Sequence, residues 1–214
     1  IDPEITDTNW SLGGLNFEIP IIASAMDGVV DVGMAVKLSN LGALGVLNLE
    51  GIQTRYENTT SALKQISSIS KEEFVPLMQK IYSQPIKESL ITKRIQEIKD
   101  QGGITAVSAT PAAAIRFRST IKEAKPDLFF VQATVVSTEH IGPEGKEKLD
   151  LNNLCNELGI PVVIGNCVTY GVAMNLMRAG ASGVMVGIGP GAACTSRGVL
   201  GVGIPQATAI SDCS

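Results

Sequence analysis

The residue best suited to covalent chemistry is Cys194, in the run Gly187-Ile-Gly-Pro-Gly-Ala-Ala-Cys194-Thr-Ser-Arg197. Glycines at 187, 189 and 191 let the backbone approach a ligand closely and reach positive φ. Successive N–H groups in such a turn can cradle an anion. A thiolate just past the turn could be held by nearby dipoles. It would attack an electron-poor carbon and leave again readily. No histidine neighbours Cys194, so activation falls to turn dipoles or to a partner elsewhere in the chain. The Gly-x-Gly-x-Gly spacing misses the dinucleotide fingerprint. On spacing alone, a tight glycine turn around an inert core cysteine remains an equal alternative. Gly198, Gly201 and Gly203 predict a mobile loop beyond the cysteine.

This loop must be carried by the element before it, the apolar run Gly183-Val-Met-Val-Gly187, which reads as a buried strand. Five similar runs precede it: 19–24, 43–47, 104–108, 128–132 and 161–164. Helical patterns fall between them. Asp31 caps a helix to Asn40, with 34, 35, 38 and 41 on its apolar face. Helices are predicted over 56–69, from a capping box at Ser70-Lys-Glu-Glu73, and over 89–101, 111–124 and 151–158. Another runs from a Thr169 cap to Ala179-Gly180, and the first 18 residues read as an irregular lead-in. Short continuous apolar strands alternating with helices imply a parallel sheet covered on both faces. Polar candidates collect at strand ends: Ser24, Asp27, Asn48, Ser108, Gln132, Asn166 and Cys194. That placement suits a (β/α)8 TIM barrel, and equally a doubly wound sheet. Six βα units are counted where a closed barrel needs eight. The expectation is an α/β chain, 1–214, forming a single catalytic barrel domain with the last two units outside it.

Composition narrows the function classes. Apolar residues make up 44% and charged residues 18%, enough for a real core. Net charge is −4 with no basic stripe, which argues against nucleic acid as a partner. No apolar run reaches the roughly 18 residues of a membrane span. Cysteines 155, 167, 194 and 213 lack framework spacing, so reduced thiols and a cytoplasmic location are expected. One histidine, His140, in a polar loop over 133–147, makes a zinc site improbable.

Gly-Ile-Gly-Pro-Gly-x-x-Cys-Thr-Ser-Arg, followed by Gly-Val-Gly-Ile-Pro-Gln, resembles the catalytic cysteine loop of the IMP dehydrogenase / GMP reductase family. The resemblance implies that Cys194 attacks C2 of a purine mononucleotide, GMP or IMP, where NADP or NAD exchanges hydride. Ser196 stands where the family usually has threonine and keeps the oxygen, implying proton transfer or ammonia handling. Ser24-Ala-Met26-Asp27 resembles the family's Ser-x-Met-Asp, with Ser24 reaching the phosphate and Met26 packing on the base. Asp27 by itself reads as a cap. Gly165-Asn166-Cys-Val-Thr169 resembles Gly-Asn-Val-Val-Thr, whose asparagine amide helps hold the ring; an Asx-turn is the alternative. Gly189 and Gly191 fall in the substrate-binding loop. With Cys194, they also match the carbonyls that hold a monovalent cation, potassium.

Two positions depart from the family pattern. The phosphate-contacting serine before the cysteine is Ala192, and the cofactor-side aspartate after strand four is Gln132, with Thr134 beside it. Residues 50–103 are too short and too helical for the CBS domain pair that IMP dehydrogenases insert there. The chain looks most like the CBS-less IMP dehydrogenase-related branch. The favoured activity is NADPH-dependent reduction of GMP to IMP and ammonia. The alternatives are NAD-dependent oxidation of IMP to XMP and a non-catalytic nucleotide-binding regulator. A homotetramer or homo-octamer is implied.

Overall fold

The computed structural model describes residues 2–137, 139–141 and 148–214. The chain separates into two compact units. The first comprises residues up to Trp10, Asn16–Ser108 and Glu123–Pro126; the second comprises Ser11–Leu15, Ala109–Lys122 and Asp127–Ser214.

The expected irregular lead-in is a ribbon of β1 (Trp10–Leu12) and β2 (Leu15–Phe17). Gly13 and Gly14 turn it with φ of 59° and 84°, values that exclude most side chains. Trp10 stacks on Phe17 with centroids 4.5 Å apart, and its indole N–H donates to Ile19 O at 2.8 Å. The first parallel strand, β3 (Ile22–Ala23), is shorter than its apolar run. Glu18 and Ile19 both donate to Gly42 O instead of a ladder partner, and Pro20 has no N–H to give. Helix α1 (Val32–Asn40) starts at Asp31, whose carboxylate accepts from Met34 N at 2.7 Å. Its buried face is Ala35 and Val36, while Met34 and Leu41 are exposed, which corrects the predicted stripe.

After β4 (Leu44–Asn48) come α2 (Thr59–Ser68), α3 (Lys71–Tyr82) and α4 (Glu88–Asp100). Ser70 precedes α3 as predicted, but its hydroxyl bonds the Glu73 carboxylate at 3.2 Å rather than capping a backbone N–H. The next strand is β5 (Ala106–Ala109). β3, β4 and β5 lie side by side, with Ile22 opposite Leu44 and Val46 opposite Ala106, both pairs parallel. Leu44, Leu47, Ala106 and Val107 are fully buried, as a sheet covered on both faces requires.

In the second unit, α5 (Pro111–Ala124) leads to β6 (Leu128–Gln132), both as read from sequence. The predicted polar loop contains a ribbon, β7 (Glu139–Ile141) paired antiparallel with β8 (Lys148–Asp150); the loop's residues 138 and 142–147 lie outside the described residues. Helix α6 (Leu151–Leu158) is capped by Asp150, which accepts from Asn152 N and Asn153 N, and ends on Gly159 at φ 62°. Then follow β9 (Val162–Cys167), α7 (Tyr170–Arg178), β10 (Gly183–Val186), α8 (Ser196–Leu200) and α9 (Gln206–Cys213). β6, β9 and β10 lie in the order β10-β9-β6, all parallel. Leu128, Phe129, Val131 and Ile164 are fully buried among them. The mobile loop expected beyond Cys194 is in fact the short helix α8, closed by Gly201 at φ 68°. No described helix is long and apolar enough to cross a membrane.

Candidate functional site

Three parallel strands of the second unit, β6, β9 and β10, point their C-terminal ends the same way, which is where α/β folds collect ligand groups. β6 ends on Gln132, β9 on Asn166 and Cys167, and β10 runs into Gly187. Around these ends lies a cavity of about 410 Å³, within the usual range for a small-molecule site. Gln132, Thr134, Asn166, Gly189 and Ser196 all line it. So five of the residues expected from sequence meet in one place. Thr110, just past β5, lines it too. Sequence reading missed Thr110, although its position after a strand and before Pro111 was the available signal.

The glycine loop is tied down almost carbonyl by carbonyl. Gln206 donates its side-chain amide to Val186 O at 2.9 Å. Asn166 donates its amide to Gly187 O at 2.8 Å, and Ile204 N donates to Ile188 O at 2.9 Å. The Arg197 guanidinium donates to Gly189 O and, at 3.0 Å, to Gly191 O. Cys194 N also donates to Gly191 O, at 3.1 Å. Gly187 must be glycine: its φ is 127°, and a Cβ there would stand 2.3 Å from the Gln206 amide oxygen. Gly165, joined to Asn166 by a cis peptide, allows β9 to approach Met185 so closely that a Cβ would meet Met185 Cβ at 2.5 Å. Roles for Arg197 and Gln206 were not read from sequence, although both lay inside the quoted motif.

Cys194 is partly exposed, between the turn and α8. The Ser196 hydroxyl and backbone N–H both hydrogen-bond its sulfur and hold the thiol below the usual cysteine value, with the Arg197 charge adding to the effect. Desolvation opposes them, and by more than the Arg197 charge contributes. The other thiols differ. Burial pushes Cys155 up, and it pushes Cys167 up to about 11, with Cys213 alongside adding to the rise. Cys194 therefore has the electrostatics of a nucleophile and Cys167 those of core. Asn166 spends its N–H on Gly187 O, while its Oδ1 is buried and without a hydrogen-bond partner among the described residues.

Ser24 and Met26 belong to the first unit, just beyond β3, and both are exposed, Met26 by 57%. Asp27 takes up the first N–H of a distant 3-10 turn, Ile52–Thr54, rather than capping a helix next to it in sequence. Its Oδ2 accepts from Ile52 N at 3.0 Å and from the Tyr82 hydroxyl. Burial and the negative charge together raise the Tyr82 pKa. Gly51 makes room for this carboxylate, since a Cβ there would lie 1.9 Å from Asp27 Oδ1. No group of three or more metal-ligating side chains occurs among the described residues.

The family model for the IMP dehydrogenase / GMP reductase domain matches residues 3–214. An uncharacterized oxidoreductase of Mycolicibacterium smegmatis is 36% identical over 211 residues, covering 96% of this chain and 56% of that protein. An inosine-5'-monophosphate dehydrogenase of Cryptosporidium parvum is 30% identical, covering 94% of this chain and 50% of the relative. Among solved structures, an IMP dehydrogenase/GMP reductase-like protein of Corynebacterium glutamicum superposes with a TM-score of 0.86 at 27% identity, over 97% of this chain and 54% of that one. The chain thus spans about half the length of the curated relatives it matches. Its parallel strands and alternating helices are those of a partial (β/α)8 barrel. With the cysteine loop, the asparagine at the end of β9 and the match along almost its whole length, the chain belongs to the IMP dehydrogenase / GMP reductase family.

Proposed function

We propose that this chain carries the catalytic site of a purine-nucleotide oxidoreductase working through a covalent bond between Cys194 and C2 of the base, in the direction of GMP reduction. The observation that carries the reading is the Cys194 thiol, lowered by Ser196, which itself lines the cavity. Cys194 adds as thiolate to C2 of GMP, forming an S–C bond. The 2-amino group leaves as ammonia once protonated, and Ser196, whose hydroxyl bonds the sulfur, is suited to pass that proton. NADPH, when bound, supplies the hydride that reaches C2. The S–C bond then breaks, IMP departs and the thiolate is restored. GMP, NADPH and two protons thus become IMP, NADP and ammonium.

The chain's own residues divide the remaining work. The Asn166 amide helps hold the ring, the backbone from Gly187 to Pro190 lines the substrate cavity, and Gln132 and Thr134 hold the nicotinamide side. Gln132 in place of an acidic residue, and helices α2 to α4 where the family inserts a CBS pair, favour the reductive direction. The first test is adduct trapping on full-length protein. GMP incubated with the enzyme and quenched in acid is expected to leave a nucleotide-derived mass on the peptide containing Cys194. GMP binding with no adduct would replace this reading with a nucleotide-binding regulator.

A further inference from the structure

The family implies a monovalent cation held by the carbonyls of Gly189, Gly191 and Cys194, but here Gly191 O is saturated and Gly189 O is already engaged by a cationic side chain. A carbonyl oxygen has two lone pairs. Gly191 O already accepts from Arg197 Nη1 at 3.0 Å and from Cys194 N at 3.1 Å, so both are used. Gly189 O accepts from the same guanidinium nitrogen. The arginine is seated in a made place: a Cβ on Gly203 would fall 2.4 Å from Arg197 Cγ and 2.8 Å from Cδ. Only glycine lets the stem run past the loop there. No carboxylate pairs with Arg197 among the described residues, so its charge is directed at the carbonyls.

We propose that Arg197 is the resident cation of the cysteine loop, a positioning residue that clamps Gly189 O and Gly191 O so that the loop holds Cys194 without a bound metal ion. The guanidinium suits this task. It is always charged, is weakly hydrated and reaches several acceptors from one rigid plane. A bound potassium ion would compete for oxygens already engaged in hydrogen bonds and would face a fixed positive charge beside them. The clamp also closes a short circuit. Arg197 lies three residues after Cys194 and reaches back to Gly191, three residues before it, so one side chain fixes both ends of the nucleophile's segment. For turnover this inference rests on the function proposed above, but the thiol itself reports it without any substrate.

The test is the rate of iodoacetamide labelling of Cys194 in full-length protein, mapped by mass spectrometry across pH. It is run in potassium chloride and in tetramethylammonium chloride at equal ionic strength. The expected result is one pH profile in both salts. In Arg197→Gln the labelling at neutral pH should fall about tenfold in tetramethylammonium, the scale of a lost charge-assisted hydrogen bond. Its profile should move to higher pH, and potassium should restore much of the loss by entering the vacated carbonyls. Arg197→Lys should lie between, because an ammonium supplies charge without the planar fork. A wild-type profile that potassium shifts would overturn the proposal, and that measurement needs no variant to fold. So would an Arg197→Gln profile matching wild type, or a loss that no cation restores. An inactive enzyme whose labelling still follows the expected pattern would count against the catalytic reading and leave the clamp intact.

Discussion

In the proposed reaction, Cys194 and Ser196 form the smallest unit on which the chemistry depends. The hydroxyl and N–H of Ser196 stabilise the thiolate, so removing the hydroxyl removes the first of the causes that lower the thiol. In Ser196→Ala the thiol pKa should rise, so the pH at which Cys194 labelling reaches half its maximum should move upward. The backbone N–H and Arg197 would retain part of the effect. An unchanged profile would show that the hydroxyl does not bear on the sulfur. The same labelling distinguishes the cysteines: Cys194 should react well ahead of Cys155 and Cys167, both raised by burial. Labelling that began at Cys167 would contradict that electrostatic assignment. Arg94 is a second residue whose work is local. Its buried guanidinium donates to the carbonyls of Gln53, Tyr56 and Glu57 at 2.9 to 3.0 Å and pairs with Glu97. Arg94→Ala would orphan those carbonyls and should cost about 3 kcal/mol, read as a lower urea midpoint.

At the scale of elements, the caps set where helices begin. Asp31 accepts from Met34 N, and Asp150 from the amides of Asn152 and Asn153. Either Asp→Ala change should lower stability by about 1 kcal/mol in denaturant unfolding, with α6 the cleaner case because its cap takes two amides. The Asp31 cap was legible in the sequence, since an aspartate just before a periodic apolar run has few other uses. So were β6 and α5, to the residue, because a continuous apolar run and a leading Pro111 fix them. The first strand was overextended because Ile19 looks like strand, yet its bond to Gly42 and the missing N–H of Pro20 withdraw the start of the run from the ladder. The segment after Cys194 was read as a loop from its glycines. It is helical because Gly201 ends the turn that Ser196 begins, so those glycines close an element and make room for Arg197. Gln132, Thr134, Asn166, Gly189 and Ser196 are expected together from motif and strand-end position, and they line one cavity. Their convergence follows from strand ends in register. The ties of Arg197 and Gln206 were not legible, because backbone carbonyls leave no signature in a sequence.

For the whole molecule, membership of the IMP dehydrogenase / GMP reductase family leaves two directions of chemistry built on one covalent intermediate. Under the proposed reading Cys194 and Asn166 would serve either direction, and Gln132 is the position that favours reduction. The reductive direction is the account's central claim, and nicotinamide absorbance tests it most directly. Full-length protein and its Cys194→Ala variant are mixed with GMP and NADPH, and separately with IMP and NAD. The account predicts NADPH oxidation that requires both GMP and Cys194, with no reduction of NAD by IMP. Reduction of NAD that depends on IMP and Cys194, with GMP inert, would contradict it and make the enzyme a dehydrogenase.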